Sequence, residues 1–160
     1  MTRTGLAMMG ALAMLASGCG GSGNAEDPPQ PTAQAARGNS LVAQGRHIFR
    51  FDTFGDEAKW TDTLRMHEVI AAAVDPTTAL TVGLKVDADA LPKSLKDGIA
   101  AGTVDLTSPA TTLALLELDA VIGLKGRVDK ENGVLKLKQV GVTCALCHST
   151  VDNSFAPGIG

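Results

Sequence analysis

Cys144, Cys147 and His148 stand together in "TCALCHST", residues 143–150, and are the residues of this chain best equipped for chemistry. The chain has three cysteines, and two of them fall here, with an imidazole directly after the second. On a helical turn, positions i, i+3 and i+4 share one side, so both thiols and the imidazole can face the same way. A thioredoxin-like redox pair would sit in a βαβ context and needs no following histidine. A zinc site would need a fourth ligand, and the remaining cysteine, Cys19, stands far upstream behind a polar tether. A disulfide between Cys144 and Cys147 would close a very small, strained loop.

The motif C-x-x-C-H resembles the haem-attachment sequence of c-type cytochromes. The resemblance implies one covalent haem c. Cys144 and Cys147 would add to its two vinyl groups as thioethers, and His148 would supply the proximal nitrogen to iron. Further on, "SFAPGIG", Ser154 to Gly160, looks like the proline-containing loop of small class I cytochromes c. By that likeness the Pro157 carbonyl accepts the other N–H of the His148 ring, an outer contact that fixes the ring and makes it more basic. The resemblance covers about Val142 to Gly160.

In that family a distal methionine and a closing helix follow the motif several tens of residues later, whereas here no Met or His follows His148. The chain is therefore expected to be an N-terminal fragment of a longer haem protein that stops inside its haem domain; the alternatives are a complete chain with an open or water-bound iron, or one that takes its distal ligand from upstream. The upstream candidates for a distal ligand are Met66, His67 and His47. The stretch "GRHIFRFDTFGDEAKW", with "TLRMHEVI" soon after, is also similar to lead-in regions of larger bacterial haem proteins of the di-haem peroxidase and rubber-oxygenase types. The resemblances imply an exported c-type cytochrome that passes electrons to redox partner proteins. The alternative is the N-terminal part of a haem enzyme of the di-haem peroxidase or oxygenase type; the single CxxCH favours the electron carrier.

The elements that must position the motif are legible in outline. Leu41, Ile48 and Phe49 are spaced as a short helix. Asp56 is a candidate N-cap for a helix from Glu57 to about Ala73, with Trp60, Leu64, His67, Ala71 and Val74 on one face. Asp75-Pro76 should end it. "LTVGLKVD", Leu80 to Asp87, alternates as a half-buried strand. Pro92 opens a short helix carrying Leu95 and Ile99 and stopped at Gly102. Ser108-Pro109 starts another with Leu113, Leu116 and Ala120 on one face. Residues 120–128 and 134–142 flank Asn132-Gly133, which supplies the left-handed backbone of a hairpin loop. The expected fold is an α+β body of short helices plus a β-hairpin over residues 40–140. It leads at 141–160 into the start of a mainly helical cytochrome c-like haem domain.

Composition sets the remaining bounds. Hydrophobic residues make up 44% of the 160 and aromatics only 3%, so the core must be aliphatic. The net charge is -3 without a dense Lys/Arg cluster, which argues against nucleic acid as a partner. Residues 1–18 read as a signal peptide: Arg3, an apolar run from Leu6 to Leu15, then small residues. "ASGC", ending at Cys19, resembles a bacterial lipobox, although the usual leucine stands one place early at Leu15. Residues 19–39 read as a flexible linker rich in Gly, Pro, Ala and Gln. Lipidation of Cys19 would tether the body to the periplasmic face of a membrane. Replacing Cys19 with Ser is expected to release soluble protein, read by membrane fractionation; unchanged fractionation would remove the lipid anchor and leave export standing.

Overall fold

The structure, a computed structural model, describes residues 33–160. The signal peptide, Cys19 and most of the linker lie outside the described residues. The fold is mixed helix and sheet, as expected, with two small antiparallel pairs of strands.

Helix α1, Ala33–Phe51, begins inside the stretch read as linker. Within residues 40–51, its last turn is the part that packs on the body. Leu41, Val42 and Ile48 are exposed, while Phe49, Arg50 and Phe51 are partly buried. The Leu41–Ile48–Phe49 spacing thus marks a helix without marking its packed face.

The single helix expected from Glu57 to Ala73 is two pieces. A π-helical turn, Lys59–Thr63, closes with the Leu64 N–H donating to the Lys59 carbonyl at 3.0 Å. Arg65 then takes a left-handed conformation at φ 53° before helix α2, Met66–Ala73. This break resets the phase of the helix. Met66, Ile70 and Val74 turn inward; Leu64 and Ala71, expected on the buried face, are exposed. Asp56 does not cap the helix. Its carboxylate accepts from the Trp60 indole N–H at 2.7 Å and from the Val142 N–H at 3.1 Å.

The strand expected over Leu80 to Asp87 is mostly something else. Helix α3, Pro76–Thr81, starts from Asp75, whose side chain accepts from the Thr78 N–H at 2.9 Å. Asp-Pro thus initiates a helix as an N-cap and N1 pair, where the sequence reading took it only as a terminator. Gly83, at φ 98°, turns the chain, and the strand shrinks to β1, Lys85–Val86. Helix α4, Lys93–Ala100, carries Leu95 and Ile99 half-buried and gives way at Gly102, φ 68°. Helix α5, Pro109–Glu117, buries Leu113 and Leu116 as its spacing predicted.

After α5 comes β2, Val121–Ile122, paired antiparallel with β1. Strands β3, Leu124–Glu131, and β4, Val134–Val142, form the expected hairpin, but its first arm starts at Leu124 rather than at residue 120, because Gly123 turns the chain and Val121–Ile122 pairs with β1 instead. Asn132 and Gly133 take φ of 50° and 84° at its tip, the pattern of a primed two-residue turn. A one-turn helix, α6, Ala145–His148, follows. It is the only helix among the described residues of 141–160.

The core is aliphatic, centred on Leu116, Ala120, Leu113, Leu115 and Val140, with Trp60 and Phe155 at its margin. Residues 151–160 close onto this same core. The Val86 N–H donates to the Gly158 carbonyl at 2.9 Å, and the Gly160 N–H donates to the Val86 carbonyl at 3.1 Å. Ile159 is buried beside the core of the body, so no packing seam separates 141–160 from 40–140. Ile159→Ala is expected to cost about 2–4 kcal/mol, the usual penalty for a cavity in a packed interior, read as a lower urea midpoint at unchanged slope.

Candidate functional site

The turn that carries Cys144, Cys147 and His148 is set by contacts from distant parts of the chain. The Thr143 N–H donates to the Gly123 carbonyl at 3.0 Å, and the Leu146 N–H to the Thr143 carbonyl at 3.1 Å. The His148 N–H donates to the Cys144 carbonyl at 3.3 Å. Cys144 is already helical, at φ -55° and ψ -30°, and Ser149 is extended. Cys144, Cys147 and His148 therefore occupy one helical turn, as their spacing predicts. Ala145 is buried at 1% exposure and anchors the turn on the body. Cys144 is half-buried, Cys147 and His148 are exposed, and both thiols are free.

Two supports hold this turn. The first is Gly123, at φ 88°. A Cβ there would overlap the Cα, N and Cβ of Leu146, so only glycine lets α6 lie against the β2–β3 junction. The second is the segment 53–61. Thr53 forms an antiparallel bridge with Thr143, and the Phe54 N–H donates to the Val142 carbonyl at 3.1 Å. Asp56 takes the Val142 N–H, as described above. The buried Thr61 hydroxyl accepts from the Val140 N–H at 3.1 Å. The end of β4 is thus paired along its outer edge right up to Cys144. Gly141 is needed here too, because a Cβ would come 2.7 Å from Thr53 Cγ2 and 3.0 Å from Glu57 Cγ.

Two depressions adjoin the residues on either side of the turn, one at Thr150–Asp152 and the other at Val142. One is an open cleft of about 530 Å³ between the end of α1 and residues 150–152. Arg46 and Arg50 line it beside Asp87, and Arg50 pairs with Asp87 at 2.7 Å. The other is a wholly apolar groove, walled by Trp60, Met66, Val82, Leu84 and Val142. Leu84 also lines a smaller crevice with Ala145, Leu146 and Ser149.

The other sequence candidates are scattered. Met66 is half-buried against the core and lines the apolar groove. His67 lies with Val134 to Leu137 at the hairpin's far end. Leu137 to Val142 alone spans about 17 Å at strand rise, so His67 cannot meet a metal held at His148. His47 is exposed on α1, its ring 5.2 Å from that of Phe51. Pro157 is exposed in a loop that closes on itself: the Gly158 N–H donates to Asn153 Oδ1 at 2.8 Å, and the Ile159 N–H to the Ala156 carbonyl at 2.8 Å. Among the described residues no hydrogen bond joins the His148 ring to the Pro157 carbonyl.

No three His, Cys, Asp or Glu side chains converge on a common point among the described residues. This does not bear on a haem, where the two sulfurs bind carbon at separate vinyl groups and only the imidazole meets iron. Free thiols on one exposed turn fit that group.

Sequence reasoning missed Gly123, Thr53, Asp56 and Thr61 as supports. Each acts on residues 20 to 90 positions away, and no local pattern marks such a partner. Comparison with known proteins found no match: no family model, no curated protein and no solved structure is similar to this chain.

Gly123→Ala is expected to cost roughly 3 kcal/mol or more, combining a strained left-handed residue with overpacking against Leu146. Urea unfolding reads the loss. Cys144, half-buried in the parent, should then react with a thiol reagent several-fold faster as α6 lifts.

Proposed function

We propose that this chain is an exported c-type cytochrome that carries one covalent haem and exchanges electrons with protein partners in the periplasm. The observation that carries the reading is the placement of Cys144, Cys147 and His148. The motif lies on a single helical turn, with both thiols free, Cys147 and His148 open to solvent, and the turn itself pinned to the body by Ala145 and Gly123.

Each residue has a distinct task. Cys144 and Cys147 would hold the haem through thioethers, so retention does not require a deep pocket. His148 would hold the iron from one side. Bound there, the haem would supply a one-electron couple. The body's task is to keep the three residues in fixed relative positions. A rigid site need not reorganise between oxidation states, and that rigidity comes from the buried Ala145 and the backbone bonds of Thr143. The exposed position of the turn leaves a short path to a partner protein. The resemblance to a lipobox at Cys19 supports tethering of this carrier at a membrane surface. Among the described residues no helix is long and apolar enough to cross a membrane.

Full-length protein produced with the haem-attachment machinery should show a covalent c-type pyridine haemochrome. Cys144→Ala or Cys147→Ala should leave one thioether and move the band toward the red, and the double variant should lose covalent haem entirely. His148→Ala should alter the spin state while leaving the thioethers in place. Unchanged haem content and spectrum after replacement of both cysteines would overturn the reading.

A further inference from the structure

The chain holds four Phe, one Trp and no Tyr. Phe49, Phe51, Phe155 and Trp60 are all partly buried. Phe54 is 67% exposed. Leaving a large aromatic uncovered is a cost in a chain with so few, and its position gives a reason. The bridge between Thr53 and Thr143 sets Phe54 directly opposite Val142 and Asp52 opposite Cys144. In an antiparallel pair, opposed residues share a face, and so do residues two apart on one strand. Phe54 and Val142 therefore lie on the same face of this short pairing, two residues before Cys144, where the chain becomes helical. Val142 in turn walls the apolar groove that holds Trp60 and Met66. Val142 thus joins the groove to Phe54 at a point two residues before the first thiol of the turn.

We propose that Phe54, with Val142 behind it, is the seat against which the apolar edge of the attached haem packs. The inference rests on the haem reading above and adds the surface that covers the group. A covalent tether at Cys144 restricts any attached macrocycle to the neighbourhood of that residue, and Phe54 is the large uncovered apolar side chain that the backbone pairing places there. Its backbone is fixed by the bond from the Phe54 N–H to the Val142 carbonyl. The backbone that carries the ring therefore need not be ordered by the ligand.

The test compares full-length parent, Phe54→Leu and Phe54→Ala, each with and without attached haem. Without haem, an exposed ring contributes little, so all three should melt within about 1 °C of one another. With haem attached, Phe54→Ala should lower Tm by about 4 °C, and Phe54→Leu should recover about half of that loss because it keeps apolar area. Soret circular dichroism should change in both variants, since both remove the aromatic neighbour. Carbon monoxide should bind the Ala variant several-fold faster. Equal losses of Tm with and without haem would overturn the inference, because Phe54 would then serve the fold alone. Unchanged Tm and Soret dichroism in the haem-loaded variants would overturn it as well, including the case where only electron exchange with a partner slows. A parent protein that attaches no haem would instead overturn the proposed function and take this inference with it.

Discussion

The close approach of helix α6 to the backbone of Gly123 is the constraint on which the rest of the arrangement depends. Gly123 takes a left-handed φ and offers its carbonyl to the Thr143 N–H. The absence of a side chain lets Leu146 lie directly against it. One residue thus turns the chain between β2 and β3, terminates the β3–β4 pairing and seats the attachment turn. Both demands act at one position: the conformation favours glycine, and the space admits nothing larger than hydrogen.

From that contact the other supports acquire their roles. The segment 53–61 is neither a regular strand nor a regular helix. Its irregularity lets it present backbone to β4 at Thr53 and Phe54, and side chains at Asp56 and Thr61. A straight helix from Glu57 to Ala73 could not do both. The π-helical turn and the left-handed Arg65 cost conformational energy; the bonds to Val140 and Val142 offset it. At the opposite side, the segment ending in Ile159 threads back onto β1. The turn is thereby held on both flanks, by β4 before Cys144 and by the strap after Thr150.

A covalently held cofactor changes what the surrounding protein must supply. A dissociable haem is retained by axial coordination and by burial in an apolar pocket. Thioethers lessen the need for that pocket, and a small aliphatic body becomes sufficient as a mount. The core of Leu116, Ala120 and their neighbours is filled by its own side chains. The exposed thiol and imidazole, the apolar path to Phe54, and the open cleft beside Arg46 and Arg50 are all surface features. This division is what the proposed carrier would need, since its cofactor edge would have to be reachable by another protein.

The sequence by itself determined the features that depend on neighbouring residues. The spacing of Cys144, Cys147 and His148 set a single turn. Pro92 and Ser108-Pro109 marked two helix starts, and Asn132-Gly133 marked the hairpin. All of these are short-range consequences of backbone sterics and helical geometry. The aliphatic nature of the core followed from composition in the same way. Only the tertiary structure decided the rest. Arg65 breaks the expected helix because Met66 and Ile70 must face the core while Asp56 and Thr61 reach β4. Leu80 belongs to a helix because Asp75 and Pro76 cap one, and an eight-residue alternation is too short to outweigh that cap. Gly123, Asp56 and Phe54 matter through partners tens of residues away. Local propensity is a property of a few adjacent residues, whereas a close approach or a shared face exists only once the chain has brought distant backbones together.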